Sequence, residues 1–250
     1  MTIFNQLEHN RQNRGGSAVA LIDPDTKYND KILPMINLIN ESDFDIIFVG
    51  GSSISDNDFN KRLSLIKKHT NLPVIIFPGS SNQLSNHADA ILFLSLISGR
   101  NPQYLISEHV KSAPMIHSLG IEAIPTAYIL LDGGIRSSVE IVSDTKPLPM
   151  EKLDIILAHA LAGQYLGKTL LFLEAGSGAE NPAACKIISH IKPNITMPII
   201  VGGGINTPLA AKNLIKAGAD YIVTGSQLEH IPNKEKLIEF TQAIHQNECN

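Results

Sequence analysis

Eight short apolar runs, spread through 250 residues and separated mostly by segments of helical period, constrain the fold of this chain more than any other feature. They fall at residues 18–22, 45–49, 73–77, 90–94, 123–131, 170–173, 199–201 and 221–223. Each is rich in β-branched residues and continuously apolar rather than alternating, the pattern of a strand buried on both faces. The clearest helical segment is 150–166, where Leu153, Ile156, Leu157, Ala160 and Leu161 form one stripe between Pro149 and Gly167. Thr207 and Pro208 open another that runs to Lys216 before Gly218, and 232–246 supplies a last one.

Strands that alternate with helices imply parallel βαβ units. Eight of them in a chain of this length predict one domain over residues 1–250, an α/β fold of the (β/α)8 TIM-barrel type. A doubly wound open sheet is the competing architecture. Only residues 78–89 separate the third and fourth strands, barely enough for a crossover helix, so a degenerate or missing third helix is expected. The long polar connection 132–149 reads as a loop extension at one end of the barrel.

Composition removes several function classes. With 20 Lys and Arg against 24 Asp and Glu, the net charge of −4 leaves no basic excess for a nucleic-acid platform. Cys185 and Cys249 lie far apart without a CxxC or Cys/His cluster, which argues against disulfides and structural zinc. Cys185 is expected to be a small buried helix residue. Nine histidines include no HxH or HExxH pattern. The first sixteen residues lack the apolar core of a signal peptide, and no apolar run reaches about 18 residues. A soluble cytoplasmic protein without a transmembrane segment is expected.

In such a barrel the chemistry lies at the C-terminal strand ends. There the chain reads IDPD, VGGSSIS, FPGSS, LLDGG, FLEAGSGAENP, VGGGINTP and VTGS. Nine glycines fall just after expected strand ends: Gly50, Gly51, Gly79, Gly176, Gly178, Gly202, Gly203, Gly204 and Gly225. In EAGSGA, GGGINTP and TGS, glycine lets backbone N–H groups approach an anion, and the first two are expected to lead directly into helices. A phosphate held by the last loops follows; the competing reading is tight βα turns. No GxxxxGK[ST] occurs, and GGGI lacks the spacing of a dinucleotide fingerprint.

Asp23 and Asp25, with the hydroxyl of Ser52 or Ser53 at the next strand end, suit a sparse Mg²⁺ site completed by water and phosphate oxygens. The competing role is capping of a turn or of the following helix, for which Asp25 is the better placed. Glu174 shares a face with Leu170 and Phe172 by period 2. If that face lines the barrel, a carboxylate beside an anion site needs a task such as proton abstraction. A structural salt bridge or a contact to a helix start at 183–185 is the alternative.

Taken in order, LIDPD, VGGSSI, FPGS, SGRNPQYLI, PTAYIL, FLEAGSGA, VGGGI and VTGS resemble the geranylgeranylglyceryl phosphate synthase family over residues 21–226. The resemblance implies a barrel with a missing or replaced third helix. It also implies transfer of a prenyl group from a prenyl diphosphate to sn-glycerol 1-phosphate, and a homo-oligomer. By position, Asp23 and Ser52 would bind Mg²⁺. Phe172, Leu173, Glu174, Ala175, Gly176, Ser177, Gly178, Gly203, Gly204, Gly225 and Ser226 would hold glycerol phosphate, with Glu174 taking the proton of the attacking hydroxyl. Three positions depart from the family: Phe172 stands where Tyr is usual, Ala127 where Gly is commoner, and Ser226 where Asn is frequent. A lost hydroxyl contact at position 172 costs about 0.5–1.5 kcal/mol.

The prenyl chain requires an apolar groove, for which Tyr104, Leu105, Ile106 and Tyr128 are candidate walls, and Arg100 is a candidate donor to the diphosphate. Two other readings remain open. One is another phosphate-binding barrel enzyme acting on a sugar phosphate, although no Lys directly follows an apolar run. The other is a non-catalytic phosphate-binding protein.

Overall fold

Each apolar run forms a strand, and a segment apolar on both faces is buried on both, here between a barrel interior and a helical layer. The computed structural model describes residues 1–25, 29–51, 58–225, 228 and 233–246. Its strands are β1 (Ser17–Ile22), β2 (Ile46–Val49), β3 (Val74–Ile76), β4 (Ala90–Leu96), β5 (Glu122–Leu130), β6 (Leu170–Glu174), β7 (Ile199–Gly202) and β8 (Tyr221–Thr224). They pair in parallel in chain order, and β8 returns to β1 to close the barrel.

The described helices are α1 (Ile3–Arg14), α2 (Asn29–Glu41), α3 (Phe59–Lys68), α4 (Glu108–Leu119), α5 (Ser138–Ser143), α6 (Leu153–Tyr165), α7 (Cys185–Ile191), α8 (Pro208–Lys216) and α9 (Lys234–Ile244). A π-helical turn, Gln103–Ser107, runs into α4. Thr207 caps α8 by accepting from the Ala210 N–H, and Pro208 stands at its first position, as the sequence indicates. The 78–89 connection forms no helix. The 132–149 connection, expected to be a plain loop, contains α5. Its start is a Ser137-x-x-Glu140 pattern in which the Ser137 hydroxyl accepts from the Glu140 N–H. Another departure is the sixth loop, which reaches its helix only at Cys185; that residue is exposed rather than buried because it opens α7 on the solvent side.

Alternation along the strands divides the core in two. Val19, Phe48, Ile75, Leu92, Tyr128, Phe172 and Ile200 fill the barrel, and Leu7, Ile3 and Phe4 of α1 close its floor. The outward side chains, Ile47, Ala127, Leu171, Leu173 and Val201 among them, pack under the helices. Ala127 is one of these, so its departure from the family pattern concerns packing. Gly163 of α6 lies against it so closely that a Cβ there would come within 2.7 Å of the Ala127 Cβ.

The floor repeats one device before each even-numbered strand. Asp45 donates its N–H to the Ala18 carbonyl (3.0 Å) and accepts the Ala18 N–H on Oδ2 (2.7 Å). Asp89 does the same with Val74, and Asp220 with Ile199. Before β6 the partner is Pro125, which has no N–H, and the residue is Thr169, whose N–H and hydroxyl both donate to the Pro125 carbonyl. An acceptor side chain occurs only where a backbone donor exists to meet it. Each aspartate also meets a cation: Arg14 on Asp45, Lys67 on Asp89, and Arg11 with Lys192 on Asp220.

These bonds fix the register in which the strands enter the barrel, and so which residues arrive at the opposite rim. Replacing Asp220 by Ala leaves the Ile199 N–H and two cations without their acceptor. We expect a loss of about 2–4 kcal/mol and a fall in melting temperature of about 6–12 °C, read by thermal denaturation. An unchanged melting temperature would remove the pin from the account.

Candidate functional site

The C-terminal strand ends surround a cavity of about 490 Å³. Eight of the nine rim glycines line it, all but Gly202. Glu174, Gly176, Ser177, Gly178, Gly203, Gly204 and Gly225 form one wall. Asp23, Asp25, Gly50 and Gly51 form a second. A third, apolar wall comes from Leu84, Ile91, Phe93, Leu94, Tyr104 and Val142, on the side where the third connection has no helix. Closed helical packing there would have covered that wall.

Glu174 ends β6 facing the barrel, as the period of the strand requires. It is 8% exposed, and its Oε1 accepts the Gly176 N–H at 2.7 Å. Burial pushes its carboxyl up to about 7, with the Gly176 N–H pulling the other way. No salt bridge or helix start holds it among the described residues. Tyr128, opposite Phe172 in register, has its phenol raised well above the ordinary value by burial and then by the Glu174 charge.

The backbone yields to this carboxylate. Gly203, at φ +87°, sits where a Cβ would fall 2.6 Å from Glu174 Oε1, and a Cβ on Gly202 would fall 2.8 Å from Oε2. A side chain at either position displaces the acid or the loop. Beyond them Gly204 leads through Ile205, also in the lining, towards α8, whose start is capped by Thr207. One wall of the mouth is therefore made of glycine-rich backbone with a single titratable group, Glu174.

At the second wall Asp23 Oδ1 accepts the Asp25 N–H at 3.2 Å, so Asp23 closes the local turn; the residues that Asp25 would cap, 26–28, lie outside the described residues. The first residue after the strand is the one whose side chain folds back over the next two. Asp25 is 9% exposed. A Cβ on Gly51 would lie 2.8 Å from Asp23 Oδ1, so this position keeps the carboxylate uncrowded. Gln83, in the helix-less connection, ties the neighbouring loops by donating to the Gly51 carbonyl (2.8 Å) and accepting from the Gly79 N–H (3.1 Å).

Several residues expected at the site lie elsewhere. Leu173 faces the helical layer, and buried Ala175 is outside the cavity lining. Phe172 is fully buried beneath the mouth, stacked on Phe77 at 5.1 Å and 2°. Ser52 and Ser226 lie outside the described residues. Tyr104 and Tyr128 line the cavity, whereas Leu105 and Ile106 do not, because the π-helical turn presents only Tyr104 inward. Arg100 turns away to the Ile97 and Gly99 carbonyls. Ser137 and Val139, at the start of α5, line the mouth unanticipated; the Ser-x-x-Glu cap was the signal that a helix begins there.

Raised above its unfolded value of 4.5, the Glu174 carboxyl makes the native state hold an extra proton up to about pH 7. Stability contributed by that proton is complete below 4.5 and is lost as pH rises through 7. Glu174→Gln removes this titration. Relative to the native chain, the variant gains on the order of 2–3 kcal/mol between about pH 5 and 8 in urea unfolding; a pH-independent difference contradicts the assignment.

A family profile described as the PcrB family matches residues 9–244. A geranylgeranylglyceryl phosphate synthase of Zunongwangia profunda is 46% identical over 210 residues, covering 84% of this chain and 89% of that protein. One from Thermococcus kodakarensis is 40% identical over 238 residues, 95% of this chain and 94% of that protein. The crystal structure of (S)-3-O-geranylgeranylglyceryl phosphate synthase from Thermoplasma acidophilum, in complex with its substrate sn-glycerol-1-phosphate, superimposes with a TM-score of 0.93. It is 37% identical and covers 98% of this chain and 99% of that one.

Proposed function

The chain belongs to the PcrB family, and we propose that it is a Mg²⁺-dependent prenyltransferase joining a prenyl diphosphate, geranylgeranyl in chain length, to the sn-3 hydroxyl of sn-glycerol 1-phosphate. The observation that carries this reading is one cavity with three unlike walls: backbone amides around a buried carboxylate, a pair of aspartates, and an apolar face. Each wall answers one part of the two substrates. The relatives, matched over most of their length, and the glycerol-phosphate complex of the Thermoplasma acidophilum protein support it.

In this reading the loops carrying Gly176, Ser177, Gly178, Gly203, Gly204 and Gly225 hold the phosphate of glycerol phosphate through backbone N–H groups. Ser226 extends the last of them. Glu174 lies beside the glycerol hydroxyl, and its carboxyl value near 7 lets it accept a proton at neutral pH. The hydroxyl oxygen bonds to C1 of the prenyl group, the C1–O bond to diphosphate breaks with its electron pair leaving on the diphosphate, and the proton passes to Glu174. The apolar wall takes the prenyl chain. Phe172, buried in the aromatic stack, supplies shape to the floor in place of a hydroxyl.

Asp23 and Asp25 offer hard oxygen donors at an uncrowded lip, which fits Mg²⁺. Among the described residues no group of three His, Cys, Asp or Glu side chains gathers to form a complete protein cage. That suits an ion shared with substrate phosphate, and Ser52 is the further ligand we assign. When bound, the ion neutralises charge on the departing diphosphate. Among the described residues no helix is long and apolar enough to cross a membrane. We assign the protein to the cytoplasm as a single-domain subunit of a homo-oligomer; exposed Val110 and Met115 on α4 support an apolar contact there.

Incubation with Mg²⁺, geranylgeranyl diphosphate and sn-glycerol 1-phosphate should yield the prenyl ether and diphosphate, read by mass spectrometry. Glu174→Gln should lower the rate by about 10²–10⁴ with the fold intact. Binding of glycerol phosphate without turnover would favour the non-catalytic alternative, and turnover of a sugar phosphate the other barrel chemistry.

A further inference from the structure

A buried guanidinium behind the aspartate wall has no part in the transfer chemistry above. Arg62, on α3, is 5% exposed. Its NH1 donates to the Pro24 carbonyl at 2.9 Å, and its Nε donates to Asn29 Oδ1 at 2.6 Å. Those two contacts bracket the connection from β1 to α2. Pro24 is the residue between Asp23 and Asp25, and its carbonyl has been turned inward to meet the charge. Desolvating a guanidinium is expensive, and a planar fork reaching two fixed acceptors holds a backbone more rigidly than an ammonium does. An apolar residue would fill this core position without that cost; what it would not do is fix the direction of the loop.

We propose that Arg62 is a positioning residue that sets the Asp23–Pro24–Asp25 loop so that both carboxylates face the Mg²⁺–diphosphate of the donor substrate. The proposal rests on the reading of Asp23 as a metal ligand. Arg62 works from α3 through backbone and Asn29, as Gln83 works on the loops after β2 and β3. The glycerol-phosphate wall hangs on β6, β7 and β8 instead, so the two halves of the site answer to different supports.

Direct Mn²⁺ binding to the full chain, measured by electron paramagnetic resonance with inorganic diphosphate present, reads the metal wall without turnover. Arg62→Met should weaken Mn²⁺ binding by about tenfold or more, as loss of a group that orients a ligand does. Arg62→Lys keeps the charge without the fork and should weaken it by about threefold. KM for sn-glycerol 1-phosphate should stay within about twofold, a split that general destabilisation does not produce. If Asp23→Asn loses Mn²⁺ while both Arg62 variants bind it like the native chain, the role of Arg62 is overturned and the metal reading stands. If Asp23→Asn itself binds normally, the metal reading fails and this inference with it. Should Arg62→Met not fold by circular dichroism, Arg62→Lys decides alone, unaltered affinity overturning the proposal.

Discussion

The mouth of this barrel is organised around one buried carboxylate. Glu174 reaches it because β6 is apolar on both faces up to its last residue, and it stays because Gly202 and Gly203 carry no side chain to displace it. Burial that costs an ordinary acid its charge is here balanced by one amide, leaving a group that binds and releases a proton near neutrality. The proton-accepting role assigned to Glu174 depends on that balance. Removing the Gly176 N–H leaves a neutral acid, and opening the mouth to water leaves an ordinary, weakly basic one.

The low net charge of the chain fits this arrangement. Phosphate recognition by backbone amides requires no excess of Lys or Arg on the surface. Five of the positive charges have structural partners away from the phosphate wall. Arg11, Arg14, Lys67 and Lys192 neutralise the aspartates that set strand register at the floor, and Arg62 is buried behind the first loop. Chemistry and stability thus occupy opposite ends of the same strands, and the floor determines what the rim presents.

Much of the architecture was legible because continuous apolar runs have few solutions: all eight became strands in chain order, and the short 78–89 connection did lack its helix. That Glu174 shares a face with Leu170 and Phe172 was legible from period 2, and the structure turns that face into the barrel. The same period, applied one residue back, puts Leu173 outward, so carrying a whole segment over by resemblance included a residue that the pleat excludes. α1 and α5 were harder to read. α1 is polar on most of its surface and owes its place to three apolar residues under the barrel and to Glu122, which accepts the Ile3 and Phe4 N–H groups. α5 is a single short helix whose only strong sign is its cap. Contacts such as Arg62 to Pro24 join residues far apart in sequence and leave no local trace.

The central claim is that Glu174 carries a proton that it exchanges near neutral pH. It is tested most directly by carbon NMR of protein labelled at the glutamate side-chain carboxyl, followed from about pH 4 to 9 and assigned by the resonance missing in Glu174→Gln. The account predicts that the Glu174 carboxyl titrates near 7. A Glu174 resonance that titrates near its unperturbed value of 4.5 contradicts it.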